Sequence, residues 1–328
     1  MRRRVVAVWL VAGALALAGP ARAADPRDPD AAAALLSRYP AGSLPVDPTT
    51  ITAIHVLGDT GDREDISLLR NIAEHERDEI RGAAVSAIGA IRDRQRAAQR
   101  ERFARDLPDP AQLAAPTAAL RAQGLGSDEA ACAAYAGRVL GTGSLGPHPA
   151  SEDAAKGDPE ALIAEGRPRT AVAVLEHDPS PAARRLEALA WEDLGEPRGA
   201  VRQYALLAAR GEAEAWDALD RFGVDPERLL LGLLTRAETR LPAGSESEVL
   251  ETLVRRGDLL TVQVLAERAT HPSASERAIA TDALVRMAQA TGRDGPLGSK
   301  AHAVVHQALL RATRDHVESI RAIALEAL

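Results

Sequence analysis

Cysteine is nearly absent from this chain of 328 residues: Cys132 is the only one, so no intramolecular disulfide can form in any compartment. Its setting, Ala130-Ala131-Cys132-Ala133-Ala134, makes the thiol a small hydrophobe on its way into a core. Aromatic side chains make up 2% of the chain, which leaves few stacking platforms for single-stranded nucleic acid or sugars. Lysine occurs only at 156 and 300, while arginine is abundant. Basic residues are still in deficit, 40 against 47 acidic, for a formal charge of -7. That sign repels phosphate backbones and anionic lipid heads, so neither nucleic acid nor a membrane surface is an expected partner. Alternating β-branched runs flanked by Asn-Gly or Asp-Gly turns are missing, and with them the expectation of a sheet.

A long apolar run opens the chain. Arg2, Arg3 and Arg4 precede the stretch Val5 to Ala18, and Ala21-Arg22-Ala23 then places small residues where a signal peptidase reads. The run is short for a bilayer span, so residues 1–23 are expected to be a cleaved export signal, leaving no integral membrane span. Cleavage after Ala23 removes four arginines and no acid, taking the formal charge from -7 to -11. The expected location is the periplasm or beyond.

Helical periodicity runs through nearly all of the chain beyond the export segment, and the chain repeats itself. Gly61-Asp62 is followed nineteen residues after the Asp by Arg81, then by Ala84, Ala87 and Ile88. Gly257-Asp258 is followed at the same spacing by Arg277, Ala280, Ala283 and Leu284. A third copy lies 44 residues on, with Arg321 at the position of Arg277 and Ala324 at that of Ala280. Fixed-period self-similarity signals helix pairs that cannot bury their apolar faces alone and stack to do so. Asp62 is placed to cap a helix carrying Ile66, Leu69, Ile72 and Ala73, and a second helix carries Ile80, Ala84, Ile88 and Ile91.

A different repeat occupies the centre. Gly166-Arg167-Pro168-Arg169-Thr170-Ala171-Val172 recurs 29 residues later as Gly195-Glu196-Pro197-Arg198-Gly199-Ala200-Val201. The fold expected is therefore all-α, an α-solenoid of antiparallel helix pairs. Its organisation reads as an N-terminal helical region over 24–140 with a repeat at 49–91, then a linker rich in Gly, Pro and Ser at 141–159. Central repeats occupy 160–222 and a second set 223–328. Between 94 and 140 three helices are expected, separated by Pro108, Pro110 and the Gly124–Gly126 turn.

The segments around Leu57-Gly58, Gly61-Asp62, Asp78, Arg81 and Ala84 to Ile91 resemble HEAT-like repeats of the subtype first associated with phycobilin lyases. The resemblance implies that a turn acid and the second-helix arginine form a ladder between neighbouring units, so Asp62, Arg81, Asp258, Arg277 and Arg321 take structural roles. The central copies resemble tetratricopeptide-type units, which implies a turn role for the glycine and places Ala188 and Trp191 at the small-residue and aromatic positions of the first helix.

Few residues point to chemistry. His302 and His306 lie four apart on one helix face, the geometry two imidazoles need to reach a metal. Ala303 stands where a zinc peptidase needs Glu, so two solvent-facing or groove-lining histidines are expected instead. His75-Glu76 matches a dipeptide through which one HEAT-like hydroxylase family binds iron. It occurs once here, and His271-Pro272 stands at the equivalent position, so no such centre is expected. No Gly-x-Ser-x-Gly elbow is present. Arg92 to Arg105 holds six arginines against Asp93 and Glu101; it reads as a solvated helix with i, i+4 pairs or as a docking patch for an acidic partner or a polyanion. No cofactor or metal is expected. The expected function is a non-enzymatic scaffold binding a protein or peptide, with Arg198, Arg202 and Tyr204 as the contact residues. The alternative is an enzyme or metal- or cofactor-binding protein that uses the solenoid groove.

Overall fold

A computed structural model describes residues 28–141, 157–176, 178–235, 245–291 and 298–328. The export segment at 1–23 and residues 142–156 of the linker lie outside them. The described residues are all-α, with 17 helices and no strand among them. Two compact units divide between Asp93 and Arg94.

The first unit holds α1 (Pro29–Leu36), α2 (Pro48–Thr60), α3 (Asp65–His75) and the beginning of α4 (Asp78–Arg105). Proline opens α1 and α2, where its missing N–H removes a donor the helix could not satisfy anyway. The carboxylates of Asp28 and Asp47 take the next orphan donors, from Asp30 and Thr50. Leu36, Ile54, Leu57, Leu69, Ile80, Ala84 and Ile91 form the core. Gly58 lets α2 come close to α4, because a Cβ there would stand 3.0 Å from Ala87.

α4 departs from the sequence expectation. The apolar pattern ends the repeat helix near Ile91 and starts a separate helix after residue 94, yet one helix runs to Arg105. No Gly or Pro interrupts the chain between Ala90 and Leu107, so only the buried face changes there.

The second unit contains α5 (Pro110–Ala122), α6 (Ser127–Leu140), α7 (Pro159–Ala164), α8 (Pro168–Leu175), α9 (Pro181–Leu194), α10 (Pro197–Ala209), α11 (Ala213–Arg221) and α12 (Pro226–Thr235). It continues through α13 (Ser245–Arg256), α14 (Leu259–Arg268), α15 (Ala274–Thr291), α16 (Ser299–Ala312) and α17 (Glu318–Leu325). α5 and α6, which the sequence groups with the N-terminal region, pack here: α6 lies against α5 and α12. The α6–α12 approach is close enough that a Cβ on Gly232 would collide with the Cys132 carbonyl. Gly195 ends α9 at φ +78°, the left-handed conformation that glycine adopts without penalty. One core cluster joins Phe103, Trp191, Tyr204, Trp216 and Phe222, and another joins Val262, Leu265, Leu284, Met287, Leu309 and Ile320.

Candidate functional site

Each shared arginine binds the turn that precedes its own helix. Arg81 donates to the carbonyls of Ala73 and Glu76 at 3.1 and 3.0 Å. Arg277 donates to those of His271 and Pro272, both at 2.9 Å, and Arg321 to that of Asp315 at 2.8 Å. Carbonyls at the end of a helix lack intrahelical partners, and a cation suits the negative end of the helix dipole. Arg277 does more: its Nε and Nη2 reach both oxygens of Asp315, at 2.7 and 3.1 Å, in the turn of the following copy. Arg81 pairs instead with Asp78 on its own helix, where water screens the contact.

The shared aspartates diverge. Asp62 does not occupy the cap position of α3, which begins at Asp65. It accepts from Glu64 N at 2.7 Å while Asp65 accepts from Asp62 N at 2.9 Å, a reciprocal pair that closes the turn before the helix. Asp258 does stand at the cap of α14, but its carboxylate makes no capping bond and pairs with Arg256 at 3.6 Å.

The three residues expected as contacts separate. Arg198 and Arg202 are exposed on α10, whereas Tyr204 is 8% exposed within the core. The Tyr204 hydroxyl donates to Glu192 Oε1 at 2.9 Å, which removes it from any docking surface. Burial, reinforced by the neighbouring Glu192 carboxylate, pushes this phenol far above its ordinary range. The other Glu192 oxygen accepts from Arg100 at 2.9 Å, and Asp193 accepts from Arg96 at 2.7 Å. The arginine run on α4 is thus neither wholly a solvated face nor an external docking patch: Arg96 and Arg100 fasten it to α9. Beside them Glu187 is buried and accepts from Gln203 at 2.8 Å and Trp191 at 3.2 Å, with burial raising its pKa. Arg184 donates to Gln203 at 3.0 Å; burial first, then Arg210 and Arg202, lower its pKa. Arg202 and Arg210 stand near Arg184, with Glu187 and Asp178 among them.

The histidines do not converge. His302 is half-buried and His306 exposed on α16, and among the described residues no three His, Cys, Asp or Glu side chains group as a metal centre requires. His316 lies beside the Arg277–Asp315 pair, its Nε2 3.1 Å from Arg277 Nη2. His75 Nδ1 bonds the Asn71 carbonyl at 3.0 Å, while buried Glu76 accepts from Leu44 N at 3.1 Å and holds the loop before α2. Cys132 is buried, and burial pushes its thiol up to about 12, which leaves it protonated and inert.

Two features had no signal in the sequence. Gly126, at the start of α6, has no side chain to cap it, so Glu267 of α14 supplies the carboxylate. It accepts from the N–H groups of Ser127, Asp128 and Glu129 at 2.9 to 3.1 Å. Neighbouring Arg268 pairs with Glu129 at 3.1 Å and with Glu276 at 2.9 Å. The second feature is an open groove of about 290 Å³ with walls from α5 and α6 and Arg228 of α12 at its side. No family model, curated protein or solved structure matches the chain.

Proposed function

We propose that the protein is a non-enzymatic α-solenoid scaffold of HEAT-like and tetratricopeptide-like helix pairs, exported to the periplasm or beyond, that binds a protein or peptide partner. The observation that carries this reading is the recurrence of one arginine clamp. Arg277 and Arg321 each bind their own turn, and Arg277 also spans to Asp315 in the next copy. Units joined by such nearest-neighbour bonds extend a surface, and surfaces of this kind recognise extended partners by shape and charge. Arg198 and Arg202 are exposed on α10, Arg202 near Arg184, and supply the charge.

Affinity capture from the native envelope with the mature chain, followed by mass spectrometry, tests the reading against an Arg198→Glu/Arg202→Glu double variant. The expected result is a stoichiometric partner that the variant loses. Stoichiometric zinc or iron in the purified protein, lost in His302→Ala/His306→Ala, would replace the scaffold with the metal-binding alternative.

A further inference from the structure

Arg321 repeats Arg277 only in part. Each uses Nη1 to hold a carbonyl six residues back in its own turn, that of Asp315 for Arg321 and that of His271 for Arg277. Arg277 then turns its Nε and Nη2 to the Asp315 carboxylate of the next copy. The same edge of Arg321 meets no acceptor among the described residues. Side chains four and seven residues on follow the same pattern. α15 packs against α16 and α17, and on it Thr281 and Leu284 are completely buried. Their counterparts 44 residues later, Leu325 and Leu328, are 62% and 49% exposed, and Leu310 on neighbouring α16 is exposed as well. The third copy thus leaves uncovered the face by which the second copy is joined to it.

The residues around Leu325 indicate what covers it. Arg321, Ala322, Leu325 and Glu326 stand at i, i+1, i+4 and i+5, which places them along one side of α17 and its cap. Ala322, Leu325 and Glu326 are exposed, and Glu326 forms no ion pair among the described residues. Their order is self-complementary. When two copies of α17 lie antiparallel about a two-fold axis between Ile323 and Ala324, Arg321 of each stands opposite Glu326 of the other. Ala322 stands opposite Leu325, so the large side chain meets the small one and the cation meets the anion. A partner surface of one charge sign would satisfy only half of this face.

We propose that this face binds a second copy of the chain through an antiparallel pair of α17 helices, with Arg321 of each copy meeting Glu326 of the other and Leu325 packing on Ala322. α17 is eight residues long, so the contact is small beside the roughly 1,200–2,000 Å² of stable interfaces, and the dimer exchanges with monomer. The pairing is independent of any partner held on α10. Sedimentation velocity of the full mature chain, run from low to high micromolar concentration, should show a mass rising from one chain towards two. Leu325→Glu and Glu326→Arg alter exposed side chains; each should weaken association tenfold or more with unchanged circular dichroism. Reversing the pair in Arg321→Glu/Glu326→Arg should recover most of what Glu326→Arg loses. A monomer at every concentration, or a dimer that either single variant leaves intact, would overturn the assignment. So would a natively folded reversed pair that associates no better than Glu326→Arg. If the chain stays monomeric yet Leu325→Glu loses the captured envelope partner, that partner covers the face: the second-copy assignment falls and the scaffold reading stands.

Discussion

Arg277 closes on Asp315, 38 residues further along the chain, with both side chains less than a tenth exposed and both carboxylate oxygens taken by the one guanidinium. Bidentate geometry of this kind fixes the relative placement of α15 and the turn before α17 more tightly than a point charge could. The same guanidinium holds the turn before α15, so one side chain joins two successive copies.

This pair sets an acid limit on stability. The hydrogen bond from Arg277 holds the Asp315 carboxyl down at about 2, against an ordinary 3.8. A carboxyl depressed on folding contributes stability that is present above its unfolded pKa and lost as pH falls through the folded value. Urea midpoints should therefore fall between about pH 4 and pH 2. Asp315→Asn should be less stable at neutral pH and show a shallower acid limb. Parallel acid limbs in the two proteins would count against the pair.

The start of α6 depends on a residue far away in sequence. Removing the Glu267 carboxylate in Glu267→Ala leaves three N–H groups of the first turn without an acceptor, a loss of about 1–2 kcal/mol by analogy with helix caps. Gly126→Ala should produce a similar loss from the other side, since its Cβ would collide with the Glu267 carboxylate. Equilibrium urea unfolding measures both, and hydrogen exchange should show faster exchange at Ser127, Asp128 and Glu129 in each variant. Unchanged protection there would refute the cap.

Close packing of α6 on α12 leaves no room at Gly232. Gly232→Ala places a methyl against the Cys132 carbonyl and should cost about 1–3 kcal/mol through overpacking, despite the better helix propensity of alanine. A variant as stable as the parent would mean the helices separate freely. Cys132 reports on the same contact: in native protein at neutral pH it should not react with a maleimide, and reaction should begin only on unfolding.

Tyr204 and Arg202 lie two residues apart and should behave oppositely. Tyr204→Phe leaves the buried Glu192 one donor short and should destabilise by about 1–2 kcal/mol. Arg202→Ala, on the exposed face, should stay within about 0.5 kcal/mol while weakening partner capture. If the stability losses were reversed, the assignment of buried and exposed faces on α10 would be wrong.

Periodicity locates the helices and their repeats. The resemblances added roles: Trp191 and Ala188 fall inside the core, Gly195 makes the turn, and Arg81, Arg277 and Arg321 all bind turn carbonyls. These bonds join residues close in the chain, so a repeated spacing carries them. Tyr204 reads as a contact in the sequence because a polar-tipped aromatic has the same position on the helix whether water or another helix covers it. Arg96 and Arg100 look solvated for the same reason, since nothing within α4 announces that Asp193 and Glu192 will meet them.

By itself the sequence determined the all-α class and the repeat positions, because these arise from 3.6-residue periodicity and from fixed spacing along the chain. Only the tertiary structure decided which charges are spent inside the molecule. Glu267 caps a helix some 140 residues away, Arg96 and Arg100 meet Asp193 and Glu192, and Arg277 closes on Asp315, 38 residues further along. A side chain's charge is written in the sequence, but whether it finds a partner depends on which elements the core brings beside it.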